Sequence, residues 1–125
     1  MLLGMEQMSI NDANKKLDSS ILKTPTDINT DFGDNYNRCR YYKVGTRVVL
    51  NVSLVKKNTS QGFSNVLLFT LPEGYRPFTV LAGRGCAYPQ TPANNSTIQV
   101  YADGSVYGTS ADSHIHCLIV FDAFN

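Results

Sequence analysis

The chain has almost no surplus of charge: among its 125 residues, 11 lysines and arginines stand against 10 aspartates and glutamates, a formal net charge of +1. Such a balance lacks the clustered basic face that draws in a polyanion, and argues against a nucleic-acid partner. The pairs Lys15-Lys16 and Lys56-Lys57 lie among polar residues and read as solvated surface. Cysteine is scarce and odd in number. Cys39, Cys86 and Cys117 have no close spacing, which excludes a disulfide framework and a CxxC metal or redox motif and leaves buried thiols as the expectation. Long apolar runs are missing too. Met-Leu-Leu-Gly-Met-Glu-Gln-Met at the start has no positive flank and too few apolar residues for a signal-peptide core or a membrane span, so synthesis in the cytoplasm and no membrane insertion are expected. Without secretion the sequons at Asn51, Asn58 and Asn95 predict no glycosylation.

Signatures of chemistry are equally sparse. There is no Gly-x-Ser-x-Gly elbow, phosphate loop, His-Glu-x-x-His helix or dinucleotide fingerprint. A glycosidase needs two carboxylates held across a cleft. Here Asp103 and Glu73 are accounted for by turns, and Asp27, Asp31 and Asp34 fall in a connector. The expectation is a protein that is not an enzyme and needs no cofactor.

What remains is 42% hydrophobic, enough for one domain of this length to bury a core without staples. Residues 1–24 read as a lead. Ser9 or Asn11 can cap a helix running to Leu22, and Leu3, Ile10 and Leu17 recur every seven residues. That seam is too thin for an isolated helix and fits either partners from neighbouring chains or a linker. Thr24 to Asn37 is a polar connector. From Arg38 the period changes to two, and residues 25–125 read as a β domain. In Arg47 to Lys56, Val48, Leu50, Val52 and Leu54 share one face of a half-buried antiparallel strand. Cys39 to Lys43 precedes it across a Val44-Gly45 hairpin. Asn65 to Leu71 is a nearly continuous apolar run whose two faces both call for cover. Leu71-Pro72-Glu73-Gly74 reads as a type I turn with Pro72 second, after which Tyr75 drops its ring into the core. Phe78 to Tyr88 reads as a strand in which Gly83 and Gly85 mark a bulge or a close backbone approach. Asp103-Gly104 signals a type I′ hairpin between Thr97–Ala102 and Ser105–Thr109. In the last strand Ile115, Cys117, Ile119 and Phe121 oppose His114, His116, Leu118 and Val120. Short, evenly spaced strands with no helix between them predict an all-β antiparallel sandwich or barrel.

Three of these parts carry a resemblance. The strand Lys-Val-Gly-Thr-Arg-Val-Val-Leu-Asn-Val, the corner Leu-Pro-Glu-Gly-Tyr-Arg-Pro and the hairpin Ile-Gln-Val-Tyr-Ala-Asp-Gly-Ser-Val, followed by a final apolar strand, resemble the C-terminal receptor-binding head domains of phage tail-fibre and baseplate proteins. The likeness covers roughly residues 35 to 125, and Asn-Asp-Ala-Asn-Lys-Lys-Leu-Asp-Ser is similar to linkers upstream of such heads. The resemblance implies a jelly-roll-like β-sandwich that forms a homotrimer, sits at the distal tip of a virion tail, and binds a host cell-surface saccharide without acting on it. The alternative it leaves open is a structural tail or baseplate domain that binds other phage proteins; a small cellular lectin or cytokine-like trimer would carry a secretion signal.

A saccharide site needs an aromatic face for sugar C–H groups and planar polar groups for hydroxyls, set on loops of a rigid scaffold. Arg84, Tyr88, Gln90, Asn94 and Asn95, in and around a long loop, and Tyr101, Tyr107 and Asp112, flanking the hairpin, are the candidates. His114 and His116, two apart on one strand, form the only metal-like spacing. On the axis of a trimer they would meet as six imidazoles; on a single strand they read as an exposed or interface face.

Overall fold

Strict alternation places one strand, and that strand organises the others. In a computed structural model, which describes residues 22–33, 38–86 and 95–124, β2 (Arg47–Val55) buries Val48, Leu50, Val52 and Leu54 completely and turns Val49, Asn51, Ser53 and Val55 outward. Burying four such side chains contributes about 1.5–3 kcal/mol each. β1 (Arg40–Val44) joins it through a tight hairpin in which Gly45 adopts φ 62° at the first central position, as a type II′ turn requires. The remaining strands are β3 (Gln61–Thr70), β4 (Leu81–Cys86), β5 (Asn95–Val100), β6 (Ser105–Asp112) and β7 (His114–Asp122). All pairings are antiparallel, and the described residues contain no helix. The lead helix falls outside the described residues.

The antiparallel all-β expectation is met, but the strands form one hydrogen-bonded sheet, in the order β1-β2-β7-β4-β5-β6-β3, where two facing sheets were expected. A connection one residue long shows how this sheet bends. β6 and β7 are three places apart in it, about 14 Å in a flat sheet, yet only Ser113 separates Asp112 from His114. One residue cannot span that distance. The sheet must therefore curl until the end of β6 meets the start of β7, and the Ser110 hydroxyl does donate to the His114 carbonyl. The concave side then encloses a single core drawn from β2, β3, β5, β6 and β7. Residues 22–33 run across its open side. Lys23 bridges Tyr41, Asn29 N–H donates to the Leu68 carbonyl at 2.8 Å, and Phe32 bridges Lys56 and meets Phe63 edge-on at 5.3 Å.

Four local expectations are corrected. The apolar run in β3 is not covered on both faces. β3 is an edge strand, Leu67 is 42% exposed opposite Tyr107, and a register shift between Leu67 and Phe69 turns the successive residues Leu68 and Phe69 inward together. A bulge, rather than two-sided burial, makes the run continuous. The corner turns one residue later than expected: Tyr75 N–H donates to the Pro72 carbonyl at 3.2 Å, and Gly74 takes the third position at φ 92°, where a type II turn needs glycine. Tyr75 does pack on the core, edge-on to Tyr41 at 5.1 Å. The β5–β6 hairpin is a three-residue loop instead of type I′. Gly104 N–H donates to the Tyr101 carbonyl at 2.9 Å, Gly104 alone has positive φ (90°), and Asp103 takes the Ser105 N–H (3.0 Å) and hydroxyl (2.6 Å). Glycine is required because a Cβ there would sit 2.4 Å from the Leu71 carbonyl oxygen. The strand expected from Phe78 begins only at Leu81, and Phe78 itself stands 87% exposed.

Candidate functional site

Antiparallel pairing sets opposed residues on the same side, so the register maps the convex surface in rows. On β4, β5 and β6 one row holds Arg84, Thr97 and Thr109, and the next holds Ala82, Gln99 and Tyr107. Asn95 lies opposite Cys86 at the start of β5. Beyond Gln99, Tyr101 folds back: its hydroxyl donates to Gln99 Oε1 at 3.1 Å, and its ring meets Tyr107 edge-on with centroids 5.4 Å apart. Each ring thereby fixes the other, and both remain partly open to solvent. Leu67 on β3 extends this platform across Tyr107. A shallow depression of about 210 Å³ lies alongside, lined by Asn95, Ser96, Thr97, Thr109, Ser110 and Ala111.

Four of the expected site residues therefore share one surface: Arg84, Asn95, Tyr101 and Tyr107. By strand spacing Arg84 and Tyr107 are about 12 Å apart, the reach of a short oligosaccharide. Asp112 does not join them. It ends β6 at the corner, where its carboxylate accepts the His114 N–H at 2.8 Å, a turn role. Tyr88, Gln90 and Asn94 lie outside the described residues. Thr97, Gln99 and Thr109 were not expected. Their signal was the alternation itself, since residues two apart from Tyr101 and Tyr107 on a hairpin share their face.

His114 and His116 also point outward, on β7, with ring centroids 5.8 Å apart. His116 Nδ1 is 2.8 Å from the Ser53 hydroxyl oxygen. Burial, and then the neighbouring His114, hold the His116 imidazole below its ordinary pKa. No group of three His, Cys, Asp or Glu able to hold a metal occurs among the described residues. Cys39 and Cys117 are buried, and burial pushes the Cys39 thiol up to about 11.

The other end of the same convex surface is apolar. Val44 is 53% exposed, Val120 48%, Leu118 59% and Phe124 72%. Two larger hollows lie there, one lined by Tyr42, Val44, Thr46, Arg47, Val49 and Asp122 and one lined mainly by apolar residues, among them Pro77, Phe78, Val120 and Phe124. In the first, Asp122 is engaged by Arg47 at 3.9 Å and by the Thr46 hydroxyl at 3.3 Å, whereas the smaller depression lies beside the braced tyrosine pair and is the better candidate for a saccharide.

No family model matches the chain, and no curated protein sequence matches it. Among solved structures it is similar to the receptor-binding protein (gp15) of Listeria phage PSA, at 15% identity and a TM-score of 0.46, over 97% of this chain and 77% of that one.

Proposed function

We propose that the chain is a phage receptor-binding module, carried at the tip of a tail fibre or baseplate, that grips a host surface saccharide without cleaving it. One observation carries the reading: residues from three strands converge so that a mutually braced tyrosine pair stands beside a row of amide, hydroxyl and guanidinium groups on a rigid sheet. Aromatic faces take sugar C–H groups, and the planar polar groups take hydroxyls. The strand, corner and hairpin that resemble phage receptor-binding heads support it as well. Individual contacts of this kind are weak, and several copies presented together raise avidity by orders of magnitude.

Assembly as a homotrimer belongs to the same proposal. The exposed apolar residues Val44, Leu118, Val120 and Phe124 give copies something to bury against one another. That apolar patch also favours a second reading, in which the domain docks on other tail or baseplate proteins and recognises no sugar. Binding of the purified chain to a glycan array and to whole bacterial cells separates the two. The saccharide reading expects specific signals that Tyr107→Ala abolishes while its circular dichroism spectrum stays that of the parent. Absence of signal on glycans and on cells refutes it in favour of the docking reading.

A further inference from the structure

β3 departs from a regular strand where it borders the depression. Phe63 is opposite Ser110 and Val66 is opposite Gly108, so Ser64 and Asn65 together face the single residue Thr109. Phe63 is buried and Val66 packs against the core, whereas Ser64 and Asn65 are both exposed. A regular strand sets one outward side chain between two inward ones. The bulge sets two there, and re-aiming a side chain beside a binding surface is a recurrent use of such bulges.

The backbone of Asn65 is held in an unfavourable shape, with φ 52°, in the left-handed region that side chains oppose. Asn58, the other non-glycine residue with positive φ among those described, lies in the turn between β2 and β3, where asparagine is ordinary. Asn65 instead lies inside a strand. A bulge that needed only this backbone shape is met most easily by glycine; asparagine tolerates the shape and adds an amide. Its own N–H then ties that position to the depression, donating to Thr109 Oγ1 at 2.8 Å, and Thr109 with Thr97 lines the hollow. With its oxygen engaged from the β3 side, the Thr109 hydroxyl turns its proton away from β3, toward the β5 wall. Adjacent strands are about 5 Å apart, and Tyr107 lies about 7 Å along β6 from Thr109, a separation that one sugar ring spans.

We infer that Asn65 is a specificity-determining residue: its amide, beside the Thr109 hydroxyl, hydrogen-bonds a hydroxyl of the sugar whose ring lies against Tyr107, and so selects saccharides that carry that hydroxyl. This role rests on the reading of the convex face as a saccharide site and adds to it a residue of the edge strand. The strained conformation is then the means by which β3 turns an extra polar side chain onto the face.

The test is calorimetric titration of the full chain with the oligosaccharide that gives its strongest glycan-array signal and with each monodeoxy derivative of that oligosaccharide. The parent chain binds at least one derivative about threefold to tenfold less tightly than the intact oligosaccharide, the worth of a neutral hydrogen bond. Asn65→Gly weakens binding of the intact oligosaccharide by that same factor and binds this derivative as the parent chain does, so the two losses do not add. Its melting temperature does not fall, because glycine adopts a φ of 52° freely. Asn65→Ala loses the same affinity and also melts lower, since alanine keeps the strain. Equal loss of affinity in both variants assigns the effect to the amide. Loss in Asn65→Ala alone assigns it to the bulge and overturns the inference, as does an Asn65→Gly chain that binds like the parent or that weakens every derivative by one factor; each of these leaves saccharide recognition standing. A parent chain that binds no glycan overturns both.

Discussion

Gly85 is where the two flanks of the sheet meet, and replacing it with alanine tests the curled architecture directly. A Cβ at position 85 would lie 1.8 Å from the His116 carbonyl oxygen, 2.7 Å from its carbon and 2.8 Å from Cys117 Cα. All three are backbone atoms of the adjacent strand, so no rotamer change relieves the contact. β4 would have to back away from β7 by more than about 1 Å, far enough to break the hydrogen bonds at a joint that consists of Gly85↔Cys117 and Cys86↔His116. Two lost backbone bonds cost about 1–3 kcal/mol, and the steric misfit adds about 1–3 kcal/mol. A total near 3 kcal/mol lowers the melting temperature of a domain this size by about 10–15 °C. Gly45→Ala is the internal control. Nothing lies within 4 Å of its Cβ, so only the φ of 62° is penalised, at about 1 kcal/mol and about 4 °C. Thermal unfolding followed by circular dichroism reads both. If Gly85→Ala melts no lower than Gly45→Ala, the β4–β7 joint is not built as described.

Gly104→Ala combines the two penalties, positive φ and a Cβ 2.4 Å from the Leu71 carbonyl oxygen, and lowers the urea midpoint more than Gly45→Ala does; an equal midpoint contradicts the three-residue loop. Asp103 is held below its ordinary carboxyl pKa, first by the Ser105 hydroxyl, so its contribution is complete above the ordinary value of 3.8 and drains away as pH falls through the lower folded value. Asp103→Ala accordingly lowers stability near neutrality and flattens the acid limb of the stability curve, whereas an unchanged limb removes the Asx turn from the account. His116 works in the same direction, at higher pH. Its folded pKa is depressed below 6.5, chiefly by burial, so the unfolded chain takes up the proton first and stability declines as pH drops below 6.5. His116→Gln abolishes that part of the slope, and a variant with the parent's slope refutes it. Finally, the Cys39 thiol, buried and raised to about 11, resists a thiol reagent at pH 8 until denaturant is added; prompt native-state labelling assigned to Cys39 by mass spectrometry counts against its burial.

Where a residue's role depends on near neighbours in sequence, it was legible. The alternation of Val48, Leu50, Val52 and Leu54 against Val49, Asn51 and Ser53 fixes a face of β2 whatever the rest of the chain does, and Ile115 to Phe121 do the same for β7. Gly83 and Gly85 announced a close approach, though not to which strand. The turns differ from expectation by one residue at Gly74 and by one loop class at Gly104, because each is decided by which of several neighbouring N–H groups closes the local bond: Tyr75 to the Pro72 carbonyl and Gly104 to the Tyr101 carbonyl. The single curled sheet could not be read, since its decisive element, the one-residue corner at Ser113, looks in sequence like any polar break. The site was half visible for the same reason. Aromatic and planar polar residue types picked out Arg84, Asn95, Tyr101 and Tyr107. Only the β4–β5–β6 register shows that Gln99, Thr97 and Thr109 complete their surface and that Asp112 belongs to a corner.

A sheet that does not close into a ring keeps two rims, and here both are blunted. Along β1, Lys23 and Tyr41 exchange backbone bonds of 2.8 and 2.9 Å, occupying the ladder where a foreign strand would zip on. Along β3, register breaks between Phe63 and Val66 and between Leu67 and Phe69, together with Asn65 at φ 52°, leave no straight run of donors and acceptors to copy. Lateral growth into a ribbon is thereby discouraged at either rim. The same irregularities that spoil the ladders therefore protect the chain from strand addition and fibril growth, leaving side-chain surfaces, not backbone edges, open to any partner.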